Sequence, residues 1–184
     1  MTFHLVTSDE PDTLHRELSE RNVDLLIARK EGRLSDQKLG FEILYDPSVV
    51  VMAGSRSPWA RKRRIALAEL VDESWVLPPP AGIMGPAYLD IFRASGLDYP
   101  RTSVVATQPG ARLKLVATGR FLTMQASVLG ISKNPQIAVL PVKLKHARAP
   151  VGTITLTDRM LSSSARLFIE TAREVAKPLA RDIS

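Results

Sequence analysis

Apolar and polar positions alternate through Phe3–Thr7 (FHLVT), the pattern of a half-buried strand. A helix follows, with Ser8 or Asp9 as cap, Pro11 in its first turn, and Leu14 and Leu18 stacked on one face. Asp24–Arg29 (DLLIAR) is a short apolar run of the kind that forms a buried strand. Strand, helix and strand together have the length of a parallel crossover. Two further strands, Leu39–Leu44 and Ser48–Ala53, flank a turn at Asp46-Pro47. Ser74–Leu77 is another, ended by Pro78, Pro79 and Pro80, which cannot donate to a ladder. The next helix carries Tyr88, Ile91 and Phe92 on its apolar face and stops at Gly96. After a strand at Thr102–Ala106, Pro109 opens a helix with Leu113, Val116 and Ala117 inward and Gly119 as terminator. Strands are predicted at Phe121–Met124, Ile137–Leu140 and Val151–Leu156. The longest helix closes the chain, from Ser162 to about Ala180, capped by Ser162 or Ser163. Its stripe is Ala165, Phe168, Ile169, Ala172, Val175, Ala176 and Leu179.

Alternating strands and helices predict an α/β fold with mostly parallel sheets. Strand–helix–strand units stand on both sides of the triple proline, which points to two lobes. The final helix needs a sheet to cover and can return to the first lobe, making the second an insertion.

With 45% hydrophobic and 24% charged residues, the 184-residue chain has the composition of a globular protein with a real core. It has no cysteine, which excludes a disulfide framework and thiolate metal sites. No run of about 18 apolar residues occurs and the N-terminus lacks a secretory pattern, so a cytoplasmic location is the default expectation. The net charge of +6 raises a nucleic-acid partner, but the only basic run is Arg61–Arg64, beside Pro58 and a short helical pattern at Leu67–Val71. A solvated turn explains that run, and no aromatic residues interleave with it as a stacking platform requires.

No nucleotide-binding glycine motif, nucleophile elbow or zinc-binding helix is present. His4, His15 and His146 lie in unrelated segments, and Ser162-Ser163-Ser164 reads as a helix cap rather than a nucleophile. Nothing calls for an enzyme, a metal or a cofactor.

The segments DLLIAR, ILYDPSVVVMAG, SPWARKRR and LAELVDESWVLPPP, in this order, resemble the effector domain of LysR-type transcription regulators. LKLVATGRFLTMQASVLG and the ending VGTITLTDRMLSSSARLFIETAREVAKPL are similar to later stretches of that domain, so the resemblance covers essentially the whole chain. Departures include Arg56-Ser57-Pro58-Trp59-Ala60 in place of a His-Pro-Leu-Ala turn, and Gln125 where proline is common. The resemblance implies an α/β, periplasmic-binding-protein-like fold: two Rossmann-like lobes with a ligand cleft between them. It implies N-terminal truncation, without the helix-turn-helix domain and the sensor's first strand and helix. Lobe I would comprise residues 1–73 and 157–184, and lobe II residues 74–156. The implied function is sensing of a small effector in a homodimer or larger homo-oligomer, with DNA bound only through the missing domain and no membrane contact. A free-standing binding protein of the same fold is the alternative.

In open α/β sheets ligands lie beyond the carboxyl ends of the strands, where helix N-termini favour anions. That rule selects Ala28 and Arg29 (with Lys30), Met52 and Ala53, Pro80, Ala81 and Gly82, Thr107 and Gln108, and Thr123 and Met124 as effector-binding residues. Glu31 is the one acidic residue at these positions, so a carboxylate effector is expected. Structural roles compete: Thr107 or Gln108 as caps, Gly82 as a turn residue, Met52 and Met124 as core. Arg29 can face the cleft, solvent or an acidic partner.

Overall fold

The computed structural model describes residues 2–8, 10–29, 38–127, 134–145 and 150–181. Its first elements are α1 (Pro11–Ser19), β1 (Leu26–Arg29), β2 (Leu39–Tyr45), β3 (Val49–Gly54), β4 (Trp75–Leu77) and α2 (Gly85–Ala94). They are followed by β5 (Thr102–Val105), α3 (Pro109–Ala117), β6 (Thr123–Ala126), β7 (Ile137–Val139), β8 (Val151–Leu156) and α4 (Ser163–Arg181). Short 3-10 helices at Pro58–Arg61 and Leu67–Leu70 lie between β3 and β4.

The chain forms two compact units, Met1–Pro47 with Ala149–Ser184, and Ser48–Arg148. The changeovers fall before β3 and before β8, whereas the sequence placed them at 73/74 and 156/157. Pairing explains the difference. β3 bonds to β6 and β7, while β8 bonds to β1 and β2, so a strand's unit follows its ladder partner rather than its place relative to the triple proline. Asp46-Pro47 is accordingly no hairpin.

In the first unit the order is β1-β8-β2 with both ladders antiparallel, pairing Arg29 with Val151 and Phe41 with Ile154. Leu18, Leu26, Leu39 and Ile154 form its core. Burying a side chain such as Ile154 (0% exposed) stabilises by about 1.5–3 kcal/mol. α4 packs on β2, as the expected return of the last helix requires, and Ser162 Oγ caps it by accepting from Ala165 N at 3.1 Å. Ala165, Ile169 and Ala176 are buried, but Val175 is 64% exposed and leaves the predicted stripe. Phe3–Thr7 is not a strand: alternation alone does not make one, and no ladder partner lies beside it among the described residues. The expected parallel crossover is therefore absent. α1 begins after Glu10 rather than at a Ser8 cap, and Asp9 lies outside the described residues.

In the second unit β3 is the centre of an antiparallel sheet, β6-β3-β7, and β4 pairs β5 in parallel. Four of the five described ladders are thus antiparallel, which corrects the mostly parallel expectation. β6 starts two residues later than the sequence suggested. Met52, Val76, Val116 and Ile137 form the core between these strands and α3. α3 ends at Gly119, whose φ of 81° suits glycine, and Gly119 lies directly against Gly54 of β3. A Cβ on Gly54 would stand 2.6 Å from Gly119 Cα and 2.8 Å from Val116 O.

Candidate functional site

The ends of the strands decide which predicted residues meet. β4 and β5 run in parallel, and beyond their paired carboxyl ends, Leu77 and Val105, the chain leaves toward Pro80–Gly82 and toward Thr107–Gln108. β6 runs parallel to β4 through the Trp75–Leu122 bridge and the bond from Val76 N to Leu122 O at 2.9 Å. Its carboxyl end, Gln125 and Ala126, therefore lies at the same end as Thr107. β3 is antiparallel to β6, with Val49 opposite Ala126 and Met52 opposite Thr123, so it brings its beginning there. Met52 and Ala53 point to the far end of this sheet, away from Thr107. The rule that selected them presumes parallel strands, and β3 is not one.

Met52, Ala53, Thr123 and Met124 are all fully buried, at 0% exposure. Thr123 Oγ1 donates to Val76 O at 2.7 Å, and Met124 O accepts from Tyr88 Oη of α2 at 2.9 Å. These residues tie β6 to β4 and α2. Pro80, Ala81, Thr107 and Gln108 are exposed and Gly82 is half-buried. Gly82 sits in a turn, its N–H donating to Pro79 O at 2.9 Å, and α2 begins only at Gly85. Gln108 is the N-cap residue of α3 but makes no side-chain cap bond, so capping does not occupy its amide. Ala28 and Arg29, half-buried, belong to the other unit, opposite Gly152 and Val151. Lys30, Glu31 and His146 lie outside the described residues.

The most telling residues here were missed. Arg112, 2% exposed on the inner face of α3, donates through Nη1 to Ala106 O at 2.9 Å and Thr107 O at 2.7 Å. Its Nη2 donates to Gln125 Oε1 at 2.9 Å, and Gln125 is itself 4% exposed. One guanidinium thus joins the β5–α3 connection to β6. The signal in the sequence was an arginine one turn before Val116, on the apolar face of a helix. Near it, burial pushes the Tyr99 hydroxyl up to about 12, against the opposing pull of Arg112's charge.

Charge is divided between the units. Ser48–Arg148 holds 14 basic and 5 acidic residues, a net +9, and no acidic residue occurs between Asp98 and Asp158. The other unit carries a net −3, from 11 basic and 14 acidic residues. Arg61–Arg64 are exposed, and Lys62 stacks 4.1 Å over Trp59 while pairing with Glu69 at 3.1 Å, consistent with a solvated turn. A separate groove of about 570 Å³ opens in the first unit between Thr2–Val6 and Asp24–Ile27, beside Ala165 and Phe168 of α4. Among the described residues no acidic, histidine or cysteine cluster could hold a metal ion, and no helix is long and apolar enough to cross a membrane.

The family model of the LysR substrate binding domain matches residues 2–177. The chain belongs to the LysR substrate-binding-domain family. It is 24% identical over 171 residues to the HTH-type transcriptional regulator GbpR of Azospirillum brasilense, covering 91% of this chain and 50% of GbpR. It therefore spans about half the length of that relative. Among solved structures it resembles the effector binding domain of QuiR in complex with shikimate, with 16% identity and a TM-score of 0.77 over 92% of this chain and 79% of that one. It also resembles the regulatory domain of CcmR from Synechocystis PCC6803 in complex with 2-PG, with 18% identity and a TM-score of 0.76 over 91% and 80%. These likenesses establish the periplasmic-binding-protein-like α/β fold of LysR substrate-binding domains.

Proposed function

We propose that this LysR-type domain senses a small carboxylate or similar oxyanion, bound on the Ser48–Arg148 unit beside Thr107 and Gln108, and so controls DNA binding by a longer regulator. The observation that carries this reading is the exposed start of α3 in a unit of net charge +9, where the N–H groups of Thr107 and Gln108 meet no acceptor among the described residues. A helix start favours an anion by roughly 0.3–1 kcal/mol, and a basic field raises the local concentration of acids. The Thr107 hydroxyl and the exposed Pro80 and Ala81 would add contacts.

GbpR is a transcriptional regulator of the helix-turn-helix type, which supports a DNA-binding readout for the full-length protein. The effector would act only through its different affinity for two states of that protein. We also propose that the domain works as a homodimer or larger homo-oligomer.

The test is thermal shift with a panel of aromatic and aliphatic acids, shikimate and 2-PG included, each matched to a neutral amide and an amine. A binder at 100 times its dissociation constant adds about 2.7 kcal/mol. Acids should stabilise and their partners should not, and Thr107→Ala should cut the shift by the equivalent of one hydrogen bond, about 1 kcal/mol. Stabilisation by amines or neutral apolar compounds alone would overturn the reading.

A further inference from the structure

We infer that Arg64, Lys143 and Lys145, with the adjoining basic turn, form a surface that holds the phosphate backbone of duplex DNA without reading its sequence. The inference rests on the DNA-binding readout proposed above for the longer protein and is independent of the effector.

Taken alone, Arg61–Arg64 is a solvated turn; the fold sets a second basic segment beside it. Ile65 and Val142 form a parallel bridge, which puts Arg64 next to Pro141 and Ala66 next to Lys143. Ile65 is only 5% exposed. Side chains on extended backbone alternate between faces, so Arg64 and Lys143, one residue away from the bridged pair, turn outward. Lys143 and Lys145 likewise alternate with the half-buried Val142 and Leu144. Arg61, Arg63, Arg64, Lys143 and Lys145 are all exposed, and none forms an ion pair among the described residues. No acidic residue occurs between Asp46 and Glu69 or between Asp98 and Asp158. Glu69 is already engaged, accepting from Lys62 at 3.1 Å and from the Ala66 N–H at 2.8 Å.

The surroundings select the polyanion. Single strands are held by bases stacked on open aromatic faces. Here Lys62 lies 4.1 Å over the Trp59 ring and Trp75 is fully buried, so no platform is offered. Ala66, Ala68 and Pro141, exposed among the cations, lack the aromatic or leucine side chains that enter a lipid interface. A duplex presents phosphates on its outside, about one charge per 1.7 Å of axis. A DNA-binding domain in the same chain would hold this surface at a high effective concentration of those phosphates, so a weak contact suffices.

The experiment is fluorescence anisotropy with a labelled duplex of arbitrary sequence, titrated at several salt concentrations. Two triple variants remove equal charge from the same unit: Arg64→Gln/Lys143→Gln/Lys145→Gln from the patch, and Arg93→Gln/Arg101→Gln/Arg120→Gln from exposed positions outside it. Each phosphate contact adds about −0.9 to the slope of log K against log salt. The wild type should therefore bind with a slope of about −3 or steeper, and the patch variant should lose about 2–3 of it. The double variant Lys143→Gln/Lys145→Gln should fall between, and the control triple should keep the wild-type slope. All variants should melt with the wild type, because the replaced side chains are exposed. Equal losses in both triples would show that diffuse charge binds the duplex, and would overturn the proposal. So would tighter binding to the single strand, or patch-dependent binding to phosphatidylglycerol vesicles but not to the duplex. No duplex binding by the wild type at low salt would refute the surface, while the acid panel judges the effector reading separately.

Discussion

Gly54→Ala tests how tightly α3, and with it the Thr107 connection, is held on the sheet. The added Cβ would lie 2.6 Å from Gly119 Cα, 2.8 Å from Val116 O and 2.9 Å from Gly119 N. All three are backbone atoms, so no side chain can swing aside, and β3 and the end of α3 must separate by most of an ångström. Overpacking of this kind costs about 1–3 kcal/mol. Alanine also restricts the unfolded chain, which returns roughly 0.4–1 kcal/mol. The expected net loss is about 1–2 kcal/mol. Trp59 and Trp75 are the only tryptophans and both lie in the affected unit, Trp75 fully buried. Urea unfolding followed by tryptophan fluorescence therefore reports on that unit, and the midpoint should fall with an unchanged slope. Gly119→Ala supplies the contrast, since its Cβ would meet nothing within 4 Å and only its φ of 81° is penalised. A Gly54→Ala protein as stable as the wild type would show that this contact is loose, and the account of how α3 is seated would fail.

Two further outcomes can be checked together. The hydrogen bond from Arg173 holds the Glu42 carboxyl below its usual range, a shift that stabilises the fold above the unfolded pKa and fades as pH falls through the folded one. Both side chains are nearly half exposed, so solvent screens the pair; Glu42→Gln should lower the urea midpoint slightly at pH 7 and not at all near pH 3, and an equal cost at both would rule out the ion pair as its source. Phe3, Leu5, Val6 and Ile27 are each about half exposed or more around the first unit's groove, so light scattering should find dimers or larger species, with Leu5→Lys shifting the distribution toward monomer; a monomer at every concentration would refute association.

Most elements of this protein were legible along the chain because each carries its own local physics. The proline that opens α3, the glycines that close α2 and α3, and the Ser162 cap act within a turn of the backbone. A strand was expected at Val151–Leu156, and β8 agrees to the residue. The family, too, could be recognised from the order and spacing of its segments. Direction and partnership of strands could not, because a strand's residues do not state which neighbour will complete its hydrogen bonds. Hence Phe3–Thr7 has the composition of a strand without a ladder, and Asp46-Pro47 joins units rather than hairpin strands. The same ignorance placed Met52 and Ala53 at the wrong end of the sheet relative to Thr107: β3 runs opposite to β4, and only tertiary pairing decides that. The start of α3 at Thr107 and Gln108 was legible because a helix start after a strand is a local feature. Arg112 was not, since its meaning lies in three acceptors drawn from β6 and the β5–α3 connection, which only the folded chain brings to one guanidinium.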